Sequence, residues 1–280
     1  MGTIVRWSLG GCAMLLACAC SRAATSAGEI IPLVHAHAHN DYEHHRPLLD
    51  ALEHGFTSVE ADIHLVDGRL LVGHDVEDAQ QSLQELYLEP LRQRVAENGG
   101  SVYPGGQGFI LLIDIKSEAE TTYRALDALL QQYRNMLTAF GPQEAIPGAV
   151  SVVVSGNRPR ELMEGQEIRY AAYDGRLNDL ETSAPASLVF MISEKWTDYF
   201  TWNGRGVMPE AERARLKEFV AAAHANGRLV RFWATYDKRT RARTALWQVL
   251  LDAGVDLINT DDLEGLQGFL LANDPTLAGR

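Results

Sequence analysis

Eight short runs rich in apolar and β-branched residues recur along the chain, near 31–38, 57–65, 109–115, 149–155, 168–173, 187–192, 228–234 and 255–259. Runs of this length, bounded by polar or glycine-bearing stretches, read as buried strands. Between several of them the apolar residues switch to helical spacing. Leu126, Leu129, Leu130, Tyr133, Leu137 and Phe140 repeat every three or four positions, as do Leu216, Phe219, Val220 and Ala223. Such stripes are the faces by which helices pack on a sheet. Strand-then-helix alternation implies parallel strands joined by crossover helices. A count of eight selects a single closed α/β barrel of the TIM (β/α)8 type over an open doubly wound sheet, a choice that two miscounted strands would reverse. The chain contains neither a GxGxxG nor a P-loop lysine motif, so nothing argues for a nucleotide fold.

With 280 residues the chain is long enough for one such barrel, expected over 31–280. The residues before it read differently. Arg6 precedes an apolar run from Trp7 to Ala17 that is too short to span a bilayer and ends in small residues. That is the pattern of an export signal over 1–23, followed by a linker over 24–30. Leu15-Leu16-Ala17-Cys18 also resembles a bacterial lipoprotein signal with Cys18 as the lipidated residue, and ordinary cleavage after Ala23 competes with it evenly. Either outcome places the protein in the periplasm or outside the cell, with membrane contact only through such an anchor. All three cysteines, Cys12, Cys18 and Cys20, fall in this stretch, so the barrel has no cysteine ligand, nucleophile or disulfide. A formal charge of −12 argues against nucleic acid or an anionic membrane surface as partner, since both need a positive field. A small-molecule or lipid phosphate ester would have to be held locally, by a metal or a few cations.

In a barrel of this kind the chemistry belongs at the C-terminal ends of the strands. The second run reads Thr57-Ser58-Val59-Glu60-Ala61-Asp62-Ile63-His64, and its period of two puts Glu60 and Asp62 on one face, about 6–7 Å apart. A hard divalent cation, Mg²⁺ or Ca²⁺, suits two inward carboxylates. For a lone E-x-D the plainer reading is an inward acid paired with lysine or arginine, so context has to shift the balance. Asp67-Gly68, set between Leu65-Val66 and Arg69-Leu70-Leu71-Val72, is a tight-hairpin signal that returns the chain and delivers Gly73-His74-Asp75 to the same rim. Upstream, alternation puts His35, His37 and His39 on one side of the first strand, with His39 nearest the rim, followed by Asn40. Downstream, Phe109-Ile110-Leu111-Leu112-Ile113-Asp114-Ile115-Lys116 ends in an acid that would complete a three-carboxylate metal site and a base that could hold a phosphate oxygen. An Asp114–Lys116 ion pair is the plain alternative.

These residues together resemble the phosphatidylinositol phospholipase C-like phosphodiesterases, which include glycerophosphodiester phosphodiesterases and sphingomyelinase D enzymes. The shared pattern is His39 ending the first strand, Glu60-x-Asp62 on the second, Gly73-His74-Asp75 after a hairpin, and Asp114-x-Lys116 on the third. Phe232-Trp233-Ala234-Thr235 and Asp252-Ala253-Gly254-Val255-Asp256 are similar to the seventh and eighth strands of that family. Within it, the stretches His39-Asn40-Asp41-Tyr42 and Asn259-Thr260-Asp261-Asp262 look like a poorly characterised branch, the altered-inheritance-of-mitochondria type. One departure stands out: where glycerophosphodiester phosphodiesterases carry Pro-Glu-Asn after the first strand, this chain has Arg46-Pro47-Leu48-Leu49. The missing glutamate leaves a set of acids more similar to the sphingomyelinase D pattern.

The resemblance implies a metal-dependent phosphoric diester hydrolase. His39 and His74 would exchange protons with nucleophile and leaving group, Glu60, Asp62 and Asp114 would hold one divalent cation, and Lys116, Trp233 and Asn40 would touch substrate. Asp75 is expected to orient a histidine. Two other classes compete. An amidohydrolase-type barrel would use His35/His37 or His37/His39 with Asp261 on zinc, but needs histidines on middle strands, and the only histidine after His74 is His224 in a helical stretch. An exported binding protein that has lost turnover would keep the same residues. The aromatic cluster Trp196, Tyr199, Phe200 and Trp202 reads either as loop packing or as an apolar lip.

Overall fold

The computed structural model describes residues 30–277. The expected export signal, Cys18 and all but the last residue of the linker lie outside the described residues. Among the described residues the strands are β1 (Leu33–Ala38), β2 (Phe56–Val66), β3 (Arg69–Val72), β4 (Gln81–Ser82), β5 (Phe109–Ile115), β6 (Ala139–Phe140), β7 (Ala145–Ile146), β8 (Val150–Gly156), β9 (Ala172–Gly175), β10 (Val189–Lys195), β11 (Leu229–Trp233) and β12 (Leu257–Thr260). The helices are α1 (Leu49–Glu53), α2 (Glu89–Glu97), α3 (Ala119–Leu130), α4 (Arg160–Glu164), α5 (Trp196–Tyr199), α6 (Glu210–Ala225), α7 (Arg241–Ala253) and α8 (Leu263–Asn273).

Eight strands pair in parallel in the order β1-β2-β5-β8-β9-β10-β11-β12, and β12 returns to β1, so the sheet closes into a (β/α)8 barrel. Strand alternation sorts the side chains. On β2, Val59, Ala61 and Ile63 are fully buried under the helices, while Ser58, Glu60 and Asp62 face the lumen. Leu112, Val153, Met191 and Leu257 meet as an apolar plug low in the lumen, as expected of a barrel that is a packed core rather than a pore. Outside, α3 lays Thr122, Tyr123, Leu126 and Leu130 on the sheet, and α6 does so with Leu216, Phe219, Val220 and Ala223. Glu118 caps α3 by accepting from the backbone N–H groups of Glu120 and Thr121.

All eight predicted strands exist, most within a residue or two. The predicted run at 168–173 is the exception, since the strand there is Ala172–Gly175. The helix read through Phe140 is the larger correction. It stops at Leu130, with one 3-10 turn to Tyr133, and the chain then turns to pair. Thr138 N–H donates to Val150 O, Val150 N–H to Met136 O, and Phe140 exchanges backbone bonds with Arg169. Those pairings satisfy backbone groups at the foot of the barrel that continued helix would leave unmet, and they override the helical period.

Candidate active site

The residues at the mouth are placed by three local devices. On β1 the inward His35, His37 and His39 climb the lumen from foot to rim. His35 Nδ1 bonds Asp256 O at the foot, and His39 Nδ1 meets Asp261 Oδ1 at 2.7 Å at the rim. The β2–β3 hairpin turns through Asp67 and Gly68, both at positive φ, the backbone that a two-residue primed turn requires. It returns Gly73 so that its N–H donates to Asp62 O, which sets His74 beside the carboxylate. Asp41, fully buried after β1, accepts from Leu48 N–H and Tyr87 Oη and so pins the loop that follows His39. Burial pushes its carboxyl up to about 7, against those two hydrogen bonds.

Asp62 is the hub. Its Oδ2 accepts from Tyr42 Oη at 2.8 Å and from Lys116 Nζ at 3.0 Å, and lies 3.2 Å from His74 Nδ1. Its Oδ1 is buried with no hydrogen-bond partner. Lys116 also lies 3.2 Å from Asp114 Oδ1, so the plain Asp114–Lys116 pair is present within the larger cluster. Burial favours neutral Lys116, but the charges of Asp114 and Asp62 outweigh it and the ammonium is held charged. For Asp114, burial pushes the carboxyl up to about 6, with Lys116 opposing and Asp62 and Glu60 adding to the rise.

Glu60, one step down, meets a residue that the sequence reading did not pick out. Arg231 Nη1 donates to Glu60 Oε2 at 2.7 Å and to His37 Nε2 at 2.8 Å, while its Nε lies 3.3 Å from Ser193 Oγ. Burial alone would raise the glutamate, and Arg231 overrides it, holding the carboxyl well below the usual range. With Nδ1 on Ser58 Oγ at 2.7 Å and Nε2 facing the guanidinium, His37 is neutral, its pKa taken down to about 4 chiefly by burial. The signal for Arg231 was available: one charge inside the apolar run Leu229-Val230-Arg231-Phe232-Trp233, in step with Trp233.

Among the described residues, Glu60, Asp62 and Asp114 form the one group of three side chains whose ligand atoms all lie within 4.8 Å of one another. The orphaned Oδ1 of Asp62, and the burial that lifts Asp114 with Asp62 and Glu60 adding to the rise, are what a hard cation would relieve, so the oxygen set fits Mg²⁺ or Ca²⁺. No histidine belongs to that group. His37 is committed to Arg231, His35 to the barrel foot, and His224 Nε2 to Asp256 Oδ2 on the outside, so the zinc arrangement of an amidohydrolase does not assemble.

The remaining expected residues are scattered in their roles. Asp75 is exposed and makes no side-chain bond to either histidine; Asp62 and Asp261 do that instead. Asn40 sits at φ 44° and turns its amide to Glu43 Oε1. Trp233 reaches the rim with Lys195 Nζ 5.6 Å from its ring centroid. The aromatic cluster after β10 is packing: Phe200 stacks on Trp196 at 4.1 Å, and Trp196 Nε1 donates to Trp202 O. A groove of about 380 Å³ opens beside His74, lined in part by Tyr42, Pro47 and Leu86. A larger one, about 580 Å³, lies between the hairpin and α3 and holds none of these residues.

Residues 25–174 match the family described as the AIM6-like phosphodiesterase domain. The chain belongs to that family. As an AIM6-like phosphodiesterase domain protein it also carries, over residues 230–264, a match to the glycerophosphoryl diester phosphodiesterase family. Altered inheritance of mitochondria protein 6 from Eremothecium gossypii is 32% identical over 280 aligned residues, covering 85% of this chain and 69% of that one. A homolog of the same name from Arthroderma benhamiae is 30% identical, covering 86% and 84%. A crystal structure of a glycerophosphoryl diester phosphodiesterase from Parabacteroides distasonis superposes with a TM-score of 0.52 over 88% of both chains at 14% identity, a likeness of fold. The resemblance read from the sequence motifs and the family match agree.

Proposed function

We propose that this AIM6-like protein is a phosphoric diester hydrolase that uses His39 and His74 as its proton-transfer pair. One observation carries the reading. Each histidine has Nδ1 on a carboxylate, Asp261 for His39 and Asp62 for His74, and both lie at the rim, partly or largely open to solvent, above one cluster of acids and a lysine. A carboxylate on Nδ1 fixes the ring and supports the imidazolium, leaving Nε2 to exchange protons with substrate. Phosphodiester cleavage needs one ring to take the proton of the attacking hydroxyl or water and the other to give one to the departing oxygen. Lys116, held charged by two acids, contributes a fixed positive charge beside the phosphate. Glu60, Asp62 and Asp114 would hold a divalent cation, which when bound supplies neutralisation of the phosphoryl charge.

The test is His39→Ala and His74→Ala assayed singly, with Mg²⁺ or Ca²⁺, across glycerophosphodiesters, lysophospholipids, sphingomyelin and phosphatidylinositol. Each variant is expected to lose about 100-fold or more in kcat/KM; full activity in both would end the mechanism. Cation binding has its own readout. Free Mg²⁺ or Ca²⁺ at a hundredfold excess over Kd should stabilise the fold by about 3 kcal/mol, and Asp62→Asn should abolish the shift in melting temperature. We also propose export, resting on the apolar run Trp7–Ala17. Sequencing the mature N-terminus, which should begin at Cys18 or after Ala23, tests it.

A further inference from the structure

The inward-facing residues at the barrel mouth are unevenly charged. Around β12, β1 and β2 they are Asp261, His39 and Asp62. Around the opposite half Lys116 after β5, Arg176 after β9 and Lys195 ending β10, beside Trp233 on β11, stand next to Asp114 and Asp174. This half-ring of cations stands in a chain with 37 acidic residues against 25 basic ones, so local placement, and not overall charge, put it there.

Lys116 is accounted for by Asp62 and Asp114. The other two are not spent in the same way. Arg176 engages the protein through Nη1, at 3.1 Å from Asp174 Oδ2 and 2.8 Å from Gly175 O. That aspartate is already served by Ser155 Oγ at 2.8 Å and faces Arg231 inside the lumen. Lys195 Nζ has Asp198, an exposed residue, 3.9 Å away, and a loose exposed pair of that kind contributes little. Behind them Arg158 keeps a buried Nη1 with no hydrogen-bond partner, 4.0 Å from Asp174. A phosphodiester carries one negative charge, and the proposed reaction already meets it with Lys116 and the cation at the three acids. On the β9–β10 side Asp174, Glu194 and Asp198 stand among Arg158, Arg176 and Lys195, yet among the described residues Lys195 Nζ has no acid within hydrogen-bond distance and so is available to an added anion.

We infer that the Arg176 and Lys195 side of the mouth binds a second anionic group, a carboxylate or a phosphomonoester, on the alcohol portion of the substrate. The inference rests on the phosphodiesterase reading and names the substrate class within it. Trp233, between Lys195 and the histidine side, offers an apolar face for the carbons that join the two charged groups.

Two matched substrate pairs test it and separate the two sources of charge. Glycerophosphoserine differs from glycerophosphoethanolamine by one carboxylate, and glycerophosphoglycerol bearing a terminal phosphate differs from glycerophosphoglycerol by one phosphomonoester. The wild-type protein should favour the anionic member of at least one pair in kcat/KM. The ratio should fall about tenfold in Lys195→Gln and in Arg176→Gln, the loss of one charge-assisted hydrogen bond. Ratios near one in both pairs, or ratios untouched by both substitutions, would overturn the inference. Arg176 also braces Asp174, so if Arg176→Gln melts early, Lys195→Gln, whose lysine has only the exposed Asp198 as an ion-pair partner among the described residues, carries the test alone. If the wild type turns over neither pair, the phosphodiesterase reading is decided on the wider substrate panel, and calorimetry decides the anion site by itself. Phosphoserine should bind more tightly than phosphoethanolamine to the wild type and no more tightly to Lys195→Gln. Equal affinities in the wild type would refute it.

Discussion

At Asp62 a single oxygen, Oδ2, takes contacts from Tyr42, Lys116 and His74, while its twin takes none. In the proposed reaction, the uneven use of this one carboxylate would tie proton transfer, phosphate charge and cation binding to one point. His39 draws on a different acid. Burial lowers its pKa, but the hydrogen bond to Asp261 and the charges of Glu60 and Asp261 outweigh burial, and the net effect raises it above 6.5. A raised imidazole keeps its proton to higher pH, so the stabilisation from this pair is complete below about 6.5. It is lost as pH rises through the folded value. Asp261→Asn should therefore move one limb of the pH–rate profile to lower pH and lower kcat more than it raises KM. A profile that superposes on the wild type would show that Asp261 does not set the His39 proton. Asp237 supports this arrangement from below, accepting from Thr260 Oγ1 and from the backbone N–H of Asp261.

The β2–β3 hairpin is the element that converts a pattern in the sequence into a site. Its register pairs Ile63 with Val72 and Val66 with Arg69, leaving Asp67 and Gly68 to turn the chain. A β-carbon on Gly68 would meet nothing within 4 Å, and its φ is +78°. Gly68→Ala thus carries a conformational cost and no clash. A loss of about 1 kcal/mol in urea unfolding is expected. Because the register also depends on β3 pairing with β4, kcat/KM should hold within about twofold. A large activity loss without a stability change would mean that the turn positions His74 more directly than the strand pairing does.

Across the whole barrel, the lumen is layered: an apolar plug at Leu112, Val153, Met191 and Leu257, then a buried polar tier around Arg231, then the acids and histidines of the mouth. The polar tier is a structural commitment as well as an electrostatic one. Arg231→Met should leave Glu60 buried without its partner and cost about 3–5 kcal/mol in urea unfolding, with Arg231→Met/Glu60→Gln recovering most of it. If the single and double variants are equally unstable, the two side chains are not coupled. The sequence by itself pointed to the barrel, because eight apolar runs with intervening helical stripes favour a closed sheet covered by helices, and the pairing of β12 with β1 closed it. It also determined that Glu60, Asp62, His39, His74 and Asp114 share one end, since strand parity and the Asp67-Gly68 turn are local properties. Only the tertiary structure decided which charge meets which. Arg231 comes to Glu60 from 171 positions away, Asp261 to His39 from 222, and the helix read through Phe140 gave way to pairing with Val150 and Arg169. Period and propensity act over a few neighbouring residues, whereas the partners of a buried charge are set by which strands the closed barrel brings side by side.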